Sequence, residues 1–131
     1  MVIRGTGKLL LQQRSRRDLW QAGLWTISST GHVKIGESYE VAAARELGEE
    51  LGIQGELHLV RKYLLPPISE RGMIEHEWVA LFTCRTDSPS AIDTVELESV
   101  REVTEEELRD MIADGPLTQD AKTILTDYLR S

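Results

Sequence analysis

The sequence predicts an α/β domain built around a mixed β-sheet, and three observations carry that expectation. The chain has 131 residues, enough for one hydrophobic core and too few for two. Its composition, 40% hydrophobic and 28% charged, is that of an ordinary folded globular protein. Its patterning runs through strands, a helix, more strands and two helices, an order that suits helices packed on a mixed sheet. A single domain over residues 1–131 is expected, since no internal repeat or linker interrupts the chain.

The elements follow in order. Lys8 to Gln13 (KLLLQQ) leaves the turn-like Gly5-Thr6-Gly7 as a short apolar run, the pattern of a first full strand. A second strand is expected from Leu24 to Ile27, carried by Trp20 and Trp25 and opening into the small polar run Ser28-Ser29-Thr30-Gly31. From Ser38 to Leu51 the period becomes helical, with Ala44, Leu47 and Leu51 as a narrow apolar stripe. Gly52 stops that helix, because glycine enters the left-handed conformation without a Cβ penalty. Half-buried strands at Leu57–Leu64 and Glu75–Cys84 flank a Pro66-Pro67 break and a loop containing Arg71-Gly72. Thr104 and Glu107 form a capping-box signature for a helix to about Ala113, and Gly115-Pro116 sets off a last helix from Thr118 to Leu129.

Charge narrows the partners. A net charge of −7 argues against non-specific binding to nucleic acid or to acidic membrane surfaces, so neither is expected as a partner. An anionic substrate then needs local help, from a divalent cation or from Arg14, Arg16 and Arg17, whose planar guanidinium groups match phosphate oxygens. Surface solvation is the alternative for each arginine. No apolar run approaches the roughly 20 residues that span a bilayer, and the N-terminal residues lack a secretory stretch, so a cytoplasmic address is expected. The single cysteine, Cys84, reads as a buried strand residue rather than a reactive thiol.

The chemistry concentrates between Gly31 and Ile53, GHVKIGESYEVAAARELGEELGI. On a helix, Glu46, Glu49 and Glu50 stand at i, i+3 and i+4, which puts three carboxylates on one face within a turn. Such a cluster is costly unless something positive sits in it, and hard oxygen donors suit Mg²⁺ or Mn²⁺. Zinc is disfavoured by the lack of a Cys/His cluster. Glu37 lies at the helix entrance, where a carboxylate favours the dipole, and Arg45 is placed to tie neighbouring carboxylates together. A bare E-x₂-E-E is more often a solvated acidic face, and it is the complete spacing that favours the functional reading.

That spacing closely resembles the Nudix box: Gly31, Glu37, Arg45, Glu46, Leu47, Glu49, Glu50, Gly52 and Ile53 fill all nine of its fixed positions. The upstream LLLQQRS, the W-x₄-W before Gly31 and the downstream EHE-x₄-F are similar to the branch that includes isopentenyl-diphosphate isomerases. The resemblance implies the Nudix fold, a mixed sheet sandwiched between helices. It implies a metal-dependent pyrophosphohydrolase that splits a phosphoanhydride bond in a small nucleoside-diphosphate-linked or related diphosphate substrate. Glu46, Glu49, Glu50 and the Gly31 carbonyl become the implied metal ligands, and Glu46, Glu49, Glu77 and Arg45 the implied catalytic set. Arg14, Arg17, Trp25 and His32 are the substrate-binding candidates, with Arg14 the best of the arginines and core packing the stronger reading for Trp20 and Trp25. Glu75 and Glu98 are further candidates for a base, Glu98 from a late loop. A homodimer is the expected assembly. Because relatives often have a longer first strand, Met1 is open to being an internal start.

Two rival functions stay in view. Isomerisation of isopentenyl diphosphate requires, in that family, a cysteine just before a metal-binding histidine. Here Thr30 takes the cysteine's place near His32, and a hydroxyl cannot supply a thiol's acid-base chemistry at neutral pH. A non-catalytic Nudix domain that senses a nucleotide is the other rival, although such domains usually lose box carboxylates and this chain keeps them all.

Overall fold

The computed structural model describes residues 1–17, 21–31, 33–75, 78–87 and 97–130, without the side chains at 68, 73, 75 and 97–99. Among the described residues eleven elements follow one another: β1 (Val2–Ile3), β2 (Leu9–Arg14), β3 (Trp25–Ile27), α1 (Tyr39–Leu51), β4 (Leu57–Leu64), β5 (Ile68–Glu70), β6 (Met73–Glu75), β7 (Trp78–Arg85), β8 (Leu97–Val103), α2 (Glu105–Asp114) and α3 (Gln119–Arg130).

β2 is the hub of a six-stranded mixed sheet. Along one edge it pairs antiparallel first with β1, through Leu9 and Leu10, and then with β3, through Leu11 to Gln13. Along the other edge it pairs with β8, from Leu9↔Val103 to Arg14↔Leu97. β1 runs parallel to β7, and β7 pairs antiparallel with β4 at the end of the sheet. β5 and β6 form a separate hairpin.

Period-two alternation sorts the apolar residues onto two faces. Val2, Leu10 and Cys84 meet Leu47 and Leu51 of α1 together with Ile53. Ile3, Leu9, Leu11, Leu81 and Val103 point the other way, against Leu108 and Met111 of α2 and Ala121, Ile124 and Leu125 of α3. The sheet is therefore sandwiched between helices, as expected, and Cys84 is the buried strand residue that was expected, its thiol pushed up by burial. No described helix is long and apolar enough to cross a membrane.

Four expectations need correction. The buried side of α1 holds Ala42, Leu47, Glu50 and Leu51, whereas Ala44 is exposed, because the helix is turned to bring Glu50 rather than Ala44 against the sheet. β4 is not half-buried: six of its eight residues are exposed, since it is the terminal strand and has a neighbour on one side only. The loop around Arg71-Gly72 is the turn of the β5–β6 hairpin, with both residues at positive φ. The acidic segment holding Glu98 is strand β8 and not a loop, because the second edge of β2 takes it into the ladder.

Candidate active site

α1 carries most of the box, and its ends are set locally. Ser38 caps the first turn by accepting a hydrogen bond from the Val41 amide, and Gly52 ends the helix in the left-handed region at φ 64°. Ahead of it, β3 delivers Ser28 to Gly31 to the helix's inner face. Ser28 is fully buried and locks this connection, its hydroxyl accepting from the Val2 amide at 2.7 Å and donating to the Leu10 carbonyl.

The box carboxylates then divide into two groups. Glu46 and Glu50 line a cavity of about 920 Å³ that also touches Gln12, Arg14, Ser29, Gly31, Tyr39 and Trp78. Glu50 is 5% exposed, accepting from Gln12 Nε2 at 3.2 Å and from the Thr30 amide at 3.4 Å. Burial pushes its carboxyl up to about 8; the charge of Glu46 and a hydrogen bond shared with it add to the rise, and the Thr30 amide and Ser29 hydroxyl oppose it. Ser29 Oγ is near enough to act on Glu50. Even so, among the described residues it is the buried side-chain polar atom left without a hydrogen bond of acceptable geometry.

Glu49 stands apart at 58% exposure and is met by Arg45 Nη1 at 3.3 Å. Arg45 joins the groups. It grips Glu37 with two donors, Nε at 2.8 Å and Nη2 at 2.9 Å, and reaches Glu46 with Nη1 at 2.6 Å. With the Lys34 amide it holds the Glu37 carboxyl down at about 2, while Glu37 and Glu46 raise Arg45 further. Arg45 thus bridges Glu37, Glu46 and Glu49. Among the described residues no three His, Cys, Asp or Glu groups stand together as a ready metal site.

The remaining candidates are placed unevenly. Gly31 lies against Glu46, and a Cβ there would stand 2.6 Å from Glu46 Oε1. Arg14 lines the cavity, on the same face of β2 as Leu10 and Gln12. Arg17 is exposed and does not line it, and Trp25 packs against the core on the α2/α3 side. Neither lines the cavity with the carboxylates, and the Trp25 backbone is held by a bridge to Leu117. His32, Glu77 and Trp20 lie outside the described residues, as do the side chains of Glu75 and Glu98. Gln12 was missed by sequence reasoning, although the alternation Leu10, Gln12, Arg14 was a signal for it.

Fold and site together define a Nudix-type α/β domain. The chain belongs to the NUDIX domain family, whose model matches residues 1–128. It is 36% identical over 115 residues to an isopentenyl-diphosphate Delta-isomerase 2 of Photorhabdus laumondii subsp. laumondii, a match covering 88% of this chain and 65% of that protein. The chain thus spans just under two thirds of that relative's length. An uncharacterized Nudix hydrolase of Pseudomonas aeruginosa is 29% identical over 129 residues, covering 98% of this chain and 74% of that protein. Among solved structures, a MutT protein from Methanosarcina mazei Go1 superposes with a TM-score of 0.81 at 19% identity, over 99% of this chain and 88% of that one.

Proposed function

We propose that this domain is a metal-dependent hydrolase that cleaves a phosphoanhydride bond in a small nucleoside-diphosphate-linked or related diphosphate substrate. The observation that carries the reading is the complete box, folded so that Glu46 and Glu50 line one cavity together with Arg14.

The residues present fit a hard divalent cation such as Mg²⁺ or Mn²⁺. Glu46 and Glu50 stand one helical turn apart and put hard oxygen donors into one cavity, Gly31 leaves the space Glu46 needs, and the buried Ser29 Oγ lacks a hydrogen-bond partner. Glu46, Glu50 and the Gly31 carbonyl would hold the ion, joined by Glu49 once its side chain leaves Arg45. Bound there, the ion supplies charge neutralisation at the phosphates and a more acidic water. Arg45 keeps Glu46 in place, and Glu37 keeps Arg45 in place. Arg14 meets a substrate phosphate, and a glutamate, with Glu49 of the box and Glu77 as candidates, takes the proton of the attacking water. A cytoplasmic address completes the reading on the sequence grounds given above.

Similarity to proteins named as isopentenyl-diphosphate isomerases favours a second reading, isomerisation of that substrate. Thr30 in the cysteine's place weighs against it. The deciding experiment incubates the protein with nucleoside di- and triphosphates, nucleotide sugars and isoprenoid diphosphates, in Mg²⁺, Mn²⁺ or EDTA. Metal-dependent release of phosphate or pyrophosphate supports hydrolysis. Conversion of isopentenyl diphosphate to its isomer without release supports the second reading and overturns the first.

A further inference from the structure

Gln12 occupies the middle of the most heavily paired strand in the sheet. Its Cα is opposite Thr26 of β3 on one side and Val100 of β8 on the other, so its backbone is held in the ladder from both edges. It is 2% exposed. By alternation its side chain follows Leu10 onto the α1 face, where Leu10 packs with Leu47 and Leu51. A third apolar residue there would extend that cluster. An amide in its place carries a desolvation cost, which its hydrogen bond must offset. That bond runs from Nε2 to Glu50 Oε2 at 3.2 Å, from a buried donor to a buried acceptor 38 residues away.

We infer that Gln12 is a positioning residue, which fixes the rotamer of Glu50 so that its carboxyl stays beside Glu46 at the cavity wall. The inference rests on the proposed reading of Glu50 as a cation ligand. The Thr30 amide holds the same Oε2 at the longer distance of 3.4 Å, so the strand side chain is the closer of the two donors. Glu50 is thereby pinned from β2 and from the loop after β3, while its backbone belongs to α1. Three elements agree on where one carboxyl points, and orienting bonds of this kind typically change metal affinity ten- to a hundred-fold when removed.

The test measures Mn²⁺ binding by electron paramagnetic resonance on the full chain, with thermal melting in parallel. Gln12→Met keeps the volume without the donor, and Gln12→Asn keeps an amide too short to reach. Both should raise the Mn²⁺ dissociation constant about ten-fold. Adding either change to Glu50→Gln should weaken binding no further than Glu50→Gln alone, because Gln12 acts through Glu50. Lower melting temperatures with unchanged Mn²⁺ affinity, or losses that simply add to that of Glu50→Gln, overturn the inference and leave the cation site standing. If Glu50→Gln itself binds Mn²⁺ like the wild type, the cation site falls and the inference falls with it.

Discussion

Gly31 and Glu46 pass each other at a distance that only a glycine permits: a Cβ at residue 31 would stand 2.6 Å from Glu46 Oε1 and closer still to Cγ and Cδ. In Gly31→Ala the flexible Glu46 side chain yields before any backbone does. The melting temperature should therefore hold within a few degrees, while the Mn²⁺ dissociation constant rises about ten-fold as Glu46 is displaced. Unchanged affinity in titrations of this variant would remove Glu46 from the ligand set.

Glu50→Gln and Glu49→Gln should each lower metal-dependent turnover by orders of magnitude, about 10²-fold or more, with circular dichroism unchanged. The two test different things, since Glu50 is buried against Gln12 and Glu49 is exposed beside Arg45. Near-normal phosphate release from both variants would overturn the site assignment.

Tyr63 and Asp127 tie the terminal strand β4 to α3. Tyr63 Oη donates to Asp127 Oδ2 at 2.7 Å, and Arg61 Nη1 reaches both Asp127 oxygens at 3.0 Å. Burial, and then Asp127, push the phenol up to about 12. Because the folded value lies above the ordinary value of about 10, the contribution is complete below pH 10 and lost as pH rises through 12. An ultraviolet titration should show the phenol ionising late, and Asp127→Asn should move its midpoint down. Tyr63→Phe should cost about 1 kcal/mol at neutral pH in denaturant melts.

Thr104→Ala should destabilise the protein by about 1 kcal/mol, because it removes the hydroxyl that accepts from the Glu107 amide. The Glu107 carboxyl, held below its ordinary value chiefly by the Thr104 amide, contributes above the ordinary carboxylate range, and that contribution fades as pH falls through its lowered value. Because Thr104→Ala keeps that backbone amide, wild type and variant should lose stability in parallel as pH falls, and a difference that vanishes in acid would show that the hydroxyl is not what the substitution removes from the cap.

Elements bounded by local chemistry were legible in the sequence. The helix between Ser38 and Gly52 and the helix begun by Thr104 and Glu107 announce themselves through side chain to backbone bonds within a turn. β8 was illegible because Leu97–Val103 is acidic and weakly apolar, and becomes a strand only when the distant β2 offers it an edge. The exposure of β4 was illegible for the matching reason: HLVRKYLL reads as half-buried, and only strand order makes it the end of the sheet.

By itself the sequence determined the family, the sandwich of helices on a mixed sheet, and which carboxylates share a helix, because spacing along a helix is also proximity in space. Only the tertiary structure decided which of them meet. Glu46 and Glu50 face the cavity and Glu49 does not, Arg14 reaches it and Arg17 and Trp25 do not, and Gln12 comes to Glu50 across 38 residues. Those outcomes depend on how α1 is rotated against β2, and that rotation is set by Leu10, Leu47 and Leu51 packing together.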